Sequence, residues 1–189
     1  MFKDLVLKNR SYRRFYQHET VDLCTIKELI DLARLSASAG NLQPLKYIIS
    51  NESSKNEIIF KTLGWAGYLK DWDGPSEGEK PSAYIVVLND LSLSKNPSID
   101  IGISAQSILL GSIEKNLGGC LLANINKNEL RNALNIDANY EIVLVIALGK
   151  PKEQVLIDQI NLSTDVKYWR DEKTVHHVPK RDLQEIILE

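Results

Sequence analysis

Two short segments hold the side chains best able to do chemistry. Arg10-Ser11-Tyr12-Arg13-Arg14 places three arginines and a serine hydroxyl within five positions. A guanidinium fork matches phosphate oxygens, and a Ser hydroxyl adds a neutral donor. A solvated basic turn behind a first helix would have the same composition. The second segment is Ser36-Ala37-Ser38-Ala39-Gly40-Asn41-Leu42-Gln43-Pro44, in which seven of nine residues are Ser, Ala, Gly, Asn or Gln. Small residues let a backbone approach a ligand closely, and the polar ones can donate hydrogen bonds. A helix-to-strand connection needs only a Gly and a polar residue. This longer segment therefore reads as a cradle for a planar ligand with polar edges.

Other chemistries find little support. There is no GxGxxG and no GxxxxGK[ST], which argues against a Rossmann dinucleotide domain and a P-loop. Cys24 and Cys120 form no CxxC pair, and two buried, reduced thiols are expected. His176-His177 has no carboxylate or third His at ligand spacing, so a solvated or interface pair is expected and no metal site. His18 lies in a polar loop and is expected to be exposed. Asn51-Glu52-Ser53 and Asn161-Leu162-Ser163 match the glycosylation pattern, which means little without a secretory signal. A net charge of −2 and a pI near 6.0 speak against bulk binding of nucleic acid or an anionic membrane surface. The longest apolar run, Ile142 to Leu148, is far short of the roughly 20 residues a membrane span needs. The opening Met-Phe-Lys-Asp-Leu carries an early acid and no long apolar core, so a cytoplasmic protein is expected.

The elements that must position the two segments follow from hydrophobic periodicity. At 189 residues, 43% apolar and 25% charged, the chain reads as one globular domain over 1–189. Phe2, Leu5, Val6 and Asn9 share one face of a short opening helix. Ile26, Leu29, Ile30, Ala33 and Leu35 mark a second helix; Thr25-x-x-Glu28 resembles its capping box, with Asp22 a rival N-cap. Strands are expected at 47–49, 83–88, 120–123 and 142–148, with helices at 54–63, 99–117 and 128–134. The 99–117 helix is apolar around most of its circumference, which suits a central position or a subunit interface. The order implies an α+β sandwich: a mixed central sheet covered by helices on both sides.

Two stretches stand apart. Residues 63–81 carry Trp65, Tyr68 and Trp72 among several glycines, as a lid or binding loop would. The aromatics could stack over a substrate or anchor the loop to its own subunit. Residues 151–189 form a polar, extended tail that ends in Leu183, Ile186, Ile187 and Leu188 and is expected to dock, with a partner subunit the natural candidate.

Taken together and in this order, the segments resemble the nitroreductase family of FMN-dependent oxidoreductases. The resemblance rests on Arg10-Ser11-x-Arg13, on Ala37-Ser38-Ala39-Gly40-Asn41-Leu42-Gln43-Pro44, on the 99–117 helix, on Leu117-Gly118-Gly119-Cys120 and on Leu148-Gly149-Lys150-Pro151. It implies a nitroreductase-like homodimer with FMN at the subunit interface and a C-terminal tail crossing to the partner. Arg10, Ser11 and Arg13 match the positions that hold the FMN phosphate and ribityl chain. Ala37, Ser38 and Ala39 match the segment that the other subunit lays along the flavin. Asn41 and Gln43 match polar residues near the ribityl chain and ring. Ala123 and Asn124 fall near a backbone contact to the ring. Arg170 is the candidate late basic residue, with Lys173 and Lys180 as rivals. The chain departs from the pattern at Asn9, where many members have Arg, at Leu45, where many have Trp, and at Ala37, where Pro is frequent.

The resemblance implies an enzyme that uses NAD(P)H to reduce a small organic acceptor (a nitroaromatic, quinone or flavin) by ping-pong hydride transfer at flavin N5. FMN would carry that chemistry, which accounts for the lack of a catalytic triad or metal set in the sequence. Lys61 or Lys70 is a candidate for stabilising charge at the pyrimidine edge. A specialised flavoenzyme of the same fold (dehalogenating, flavin-cleaving or dehydrogenating) and a non-catalytic flavin-binding module are the alternatives.

Overall fold

The two most apolar strands of the sequence become the middle of the main sheet. The structure, a computed structural model, describes residues 1–161 and 165–188; Leu162 and Ser163 of the second glycosylation match lie outside them. The first helix, α1, is Phe2–Lys8, and α2 is Leu23–Leu35. Asp22 caps α2, accepting from both the backbone N–H and the hydroxyl of Thr25 at 2.8 Å each. The capping box expected of Thr25 and Glu28 therefore gives way to Asp22, whose charge also suits the positive end of the helix dipole. Glu28 pairs with Lys115 instead.

After a 3₁₀ turn at Ala39–Asn41 come β1 (Leu45–Ser50), α3 (Ser53–Lys61), β2 (Ala83–Asp90) and α4 (Ser98–Glu114). Then follow β3 (Gly118–Leu122), α5 (Lys127–Leu134) and β4 (Tyr140–Gly149). The sheet order is β1-β2-β4-β3. Each pairing in it is antiparallel, so the central sheet itself is not mixed. Helices cover both faces. On one side, Ile26, Leu29, Ala105 and Ile108 of α2 and α4 pack against Ile85, Val87, Leu144 and Ile146. On the other, Ile59 of α3 and Leu130 of α5 pack against Tyr84, Val86, Leu88, Ile142 and Val145. A register shift pairs Val87 with Leu144 but Leu88 with Ile142. That bulge is why Ile142 and Val145, three residues apart, face the same side.

The tail forms strands that periodicity does not single out: residues 155–160 (VLIDQI) lack strict alternation, and residues 176–181 (HHVPKR) hold Val178 as their one branched aliphatic side chain. β5 (Val155–Ile160), β6 (Trp169–Arg170) and β7 (His176–Arg181) form a small sheet ordered β5-β7-β6, and α6 (Leu183–Ile186) follows. Its β5–β7 pairing is parallel and its β6–β7 pairing antiparallel. Leu183, Ile186, Ile187 and Leu188 are exposed. Cys120 is buried as expected, and burial pushes its thiol up to about 11. Cys24 is exposed, contrary to expectation, because it faces outward from the first turn of α2. His18 is exposed. No described helix is long and apolar enough to cross a membrane.

The Arg10–Arg14 segment runs beside the start of β3: Ser11 bridges Gly119 in parallel, and Tyr12 N–H donates to Gly119 O at 3.0 Å. Gly119 is itself needed where β3 packs closely against β4 and α4. A Cβ on Gly119 would lie 2.6 Å from Ala147 O and 2.7 Å from Leu109 Cδ2. Gly119→Ala should therefore destabilise the fold by about 1–3 kcal/mol, read as a lower urea midpoint at unchanged m-value.

Candidate functional site

The three arginines of the first segment meet different fates. Arg14 is bound by a carboxylate: its Nε and Nη2 each donate to Glu79 at 2.6 Å. Lys152 Nζ reaches the same carboxylate at 2.9 Å. Arg10 donates through Nη2 to Val6 O at 2.8 Å, at the C-terminal end of α1, and burial lowers its pKa. Arg13 is only 8% exposed. Its Nη1 donates to Ser11 O at 3.1 Å and lies 3.1 Å from His176 Nε2. Its guanidinium sits 4.6 Å from the centre of the Tyr168 ring. The backbone N–H groups of Arg13 and Arg14 both donate to Glu153 Oε1, and Arg170 Nη2 donates to Glu153 Oε2 at 3.2 Å.

Arg10, Ser11 and Arg13 line a cavity of about 220 Å³, with Asn9, Gln106, Leu109, Leu121, Tyr168, His176, Val178 and Lys180 completing its wall. Among the described residues, its wall contains three cationic side chains and no carboxylate. Arg10 Nε, Arg13 Nε and His176 Nδ1 are buried without a hydrogen-bond partner among the described residues. Unpaired buried donors beside uncompensated cationic side chains suit an anion such as a phosphate monoester. The FMN phosphate fits this donor set.

The Ser36–Pro44 segment builds a second cavity, also about 220 Å³, lined by Ala33, Ser38, Gln43, Tyr47, Asp100 and Ser104 among others. Its backbone is bent hard, with φ of 57° at Gly40, 55° at Asn41 and 50° at Gln43. A left-handed conformation at a residue with a Cβ costs on the order of 1 kcal/mol, so the surroundings must hold it. Buried Asp100 of α4 does so by accepting from Ser38 Oγ and from Ala39 N–H. Ser38 Oγ in turn accepts from Gln43 N–H at 2.9 Å, and Gln43 Nε2 donates to Asn41 O at 3.2 Å. Ala37, Ala39, Asn41 and Gln43 remain exposed.

No residue lines both cavities. Ser104 faces one and Gln106 the other, and two residues along a helix is a rotation of about 200°. Within one chain the two segments therefore lie on opposite sides of α4. Ala123 and Asn124 are exposed just beyond β3 and line neither cavity. Asn124 instead grips Gly64, whose N–H donates to Asn124 O at 2.9 Å. Lys61 and Lys70 also line neither cavity, and Lys61 pairs with Glu57 at 3.7 Å.

The late basic residues separate clearly. Lys180 lines the arginine cavity. Arg170 does not; it is held by Glu153 and lies 4.6 Å from the Trp72 ring centre. Lys173 sits in the turn between β6 and β7. Of the aromatics in 63–81, Trp65 is buried against Phe60 at 5.8 Å and Trp72 lies under Arg170, so both anchor the loop to its own chain. Tyr68 is half exposed and rests on Tyr168 at 4.9 Å.

Sequence reasoning missed Asp100, Glu153, Tyr168 and His176. His176 is fully buried rather than solvated, while His177 pairs with Asp158 at 2.9 Å and stacks on Trp169 at 4.1 Å. Alternation along β7 was the available signal, since it turns the two histidines to opposite faces.

An antiparallel sheet between helix pairs, with an arginine-lined cavity beside its edge strand β3, defines an α+β protein. Residues 6–71 and 78–150 match the model of the nitroreductase family, and the chain belongs to that family; the resemblance drawn from the two segments is thereby confirmed. A relative from Archaeoglobus fulgidus named "Putative NADH dehydrogenase/NAD(P)H nitroreductase" is 27% identical over 158 residues, which is 79% of this chain and 85% of the relative. A solved nitroreductase family protein from Streptococcus pneumoniae TIGR4 has the same fold over 100% of both chains, with a TM-score of 0.73 at 17% identity. An FMN-dependent nitroreductase from Clostridium difficile R20291 covers 79% of this chain and 87% of its own, with a TM-score of 0.64 at 22% identity.

The fork of Arg14, with help from Lys152, holds the Glu79 carboxyl down at about 2, against a smaller opposing effect of burial. Glu79 therefore contributes stability above its ordinary value of 4.5 that is lost as pH falls towards 2. Glu79→Gln should be less stable than wild type near neutral pH by about 1–3 kcal/mol. Urea titrations at descending pH should show the two proteins converging as the carboxyl is protonated.

Proposed function

We propose that this chain is an FMN-dependent oxidoreductase that uses NAD(P)H to reduce a small organic acceptor, such as a nitroaromatic, a quinone or a flavin. The observation that carries this reading is the arginine cavity: two arginines and a lysine, with unpartnered buried donors and no carboxylate in the wall among the described residues. The names of its relatives support the same class. When bound, FMN supplies a ring that accepts a hydride from NAD(P)H and passes it to the acceptor in a ping-pong cycle.

The chain's own residues would do the holding. Arg10, Arg13 and the Ser11 hydroxyl would bind the phosphate and the nearby ribityl chain, with Lys180 as the late basic residue in place of Arg170. Arg170 would then act as a brace for Glu153 beneath the arginine segment. Ala37, Ser38 and Ala39 would lie along the ring, with Asn41 and Gln43 at its polar edge and the backbone of Ala123 and Asn124 as a further contact. The two segments line opposite sides of α4, so a second copy of the chain would have to bring its Ser36–Pro44 segment to this subunit's arginines. The exposed apolar residues of the tail, Leu183 to Leu188, suit contact with that second copy. We therefore propose a homodimer, acting in the cytoplasm, that binds flavin poorly as a monomer.

Purified protein should be yellow and should release FMN, not FAD, on heating. Colourless protein that FMN cannot reconstitute would overturn the reading. NADH or NADPH should bleach the bound flavin in stopped flow; tight FMN that neither nicotinamide reduces would favour a specialised member or a binding module. Arg13→Ala should weaken FMN binding by about 1.5–3 kcal/mol, the worth of a charge-assisted hydrogen bond. Unchanged affinity would mean that the phosphate lies elsewhere.

A further inference from the structure

We propose that His176, on the C-terminal strand β7, is a positioning residue for Arg13: as a neutral imidazole it accepts through Nε2 from Arg13 Nη1 and holds the guanidinium at the anion cavity without cancelling its charge. The inference rests on the phosphate site proposed above. It concerns a part of the chain, residues 151 onward, that the family match does not reach.

The chemistry of the pair fixes the protonation state. A guanidinium has donors and no acceptor. The 3.1 Å contact between Arg13 Nη1 and His176 Nε2 is therefore a hydrogen bond only if Nε2 carries the lone pair and the ring proton sits on Nδ1. A charged imidazolium would face Arg13 with a second donor. Burial lowers the His176 pKa to about 4, and Arg13, Arg170 and His177 push in the same direction. The ring is fully buried, and its backbone N–H is tied to Gln154 O at 2.9 Å.

The comparison with Arg14 shows what a neutral acceptor achieves. Arg14 is held by the carboxylate of Glu79, which fixes the side chain and also neutralises it. Arg13 is held instead by neutral groups: Ser11 O, His176 Nε2 and the Tyr168 ring. The nearby acid, Glu153, takes the backbone N–H of Arg13 rather than its guanidinium. Arg13 is thus buried and braced while its charge remains available to a ligand. A histidine in an anion site is usually read as a cation that binds the anion; here it serves as an acceptor that aims one.

The test compares His176→Leu, which fills the space without an acceptor, with His176→Gln, whose terminal oxygen can occupy the place of Nε2. FMN and riboflavin differ by the phosphate, so the ratio of their dissociation constants isolates the role of Arg13. His176→Leu should lower the preference for FMN over riboflavin by about ten-fold or more, the cost of a misplaced charged donor, with riboflavin affinity changed far less. His176→Gln should restore most of that preference. Loss of both ligands alike, an unchanged ratio in His176→Leu, or a Gln variant as poor as Leu would each overturn the proposal. A second measurement needs no variant: nitrogen NMR of the wild-type protein near neutral pH should show His176 neutral with its proton on Nδ1, and an imidazolium or the opposite tautomer would overturn it. A wild-type protein that binds FMN no better than riboflavin would instead sink the phosphate site itself.

Discussion

The site depends on one buried carboxylate. Glu153 has a fully buried side chain, and a buried charge is tolerable only when hydrogen-bonded and paired. Its partners are the consecutive backbone N–H groups of Arg13 and Arg14 on one oxygen and the guanidinium of Arg170 on the other. One side chain thereby fixes the path of the arginine segment and ties it to the tail. With that path set, Ser11 and Tyr12 lie against Gly119, Arg14 reaches Glu79, and Arg13 lies beneath Tyr168 beside His176. The close approach to that segment is at Gly118, where a Cβ would collide with Tyr12 Cδ2, so this glycine and the acid constrain the same stretch.

From that constraint comes a division of labour among like residues. Arg14 and Arg170 are spent on acids and act as struts. Arg10 and Arg13 are given only neutral acceptors on their guanidinium groups. The segment binds itself in place with some of its charges and leaves others uncompensated. An electropositive cavity of this kind is costly without a ligand, because buried donors stay unpaired, and the cost becomes selectivity when an anion arrives.

The sequence made the sheet and its covering helices legible because burial there is strongly periodic. Ala83 to Leu88 and Ile142 to Leu148 are short apolar runs rich in Ile and Val, as interior strands are, and apolar residues at helical spacing over 26–35 mark a helix with one dry face. Direction of pairing was less accessible: an antiparallel sheet needs no different residues from a mixed one. Asp22 and Thr25 both satisfied the rules for a cap, and the outcome turned on a second bond from the Thr25 hydroxyl. The tail was opaque because β5 and β7 gain their partners from each other, across a long stretch of chain, and not from local pattern. His176 and His177 looked alike as neighbours, and only the fold separated the one among Arg13 and Tyr168 from the one beside Asp158. The arginine segment and the Ser36–Pro44 segment were recognisable as residue types at fixed spacing. The residues that hold them, Glu153 and Asp100, belong to no motif, since any acid brought there by the fold would serve.

Asp100 and Glu153 do the same work at the two segments, and they show why a single chain is an incomplete site in the proposed reading. Each acid is buried, and each grips a backbone N–H of a segment whose conformation would not persist alone. Asp100 holds a stretch in which Asn41 and Gln43 are left-handed beside Gly40, a strain that its hydrogen bonds help to offset. In that stretch Ala39, Asn41 and Gln43 are held by bonds within the segment and to Asp100, yet they and Ala37 stay exposed. The arginine cavity on the far side of α4 has donors without acceptors among the described residues. Each side supplies what the other lacks: a small-residue wall with polar edges on one, a charged socket on the other. In a two-fold arrangement the surface of one copy meets the complementary surface of the other twice. On the proposed reading one dimer would complete two flavin sites at once, and assembly and cofactor binding would be a single equilibrium.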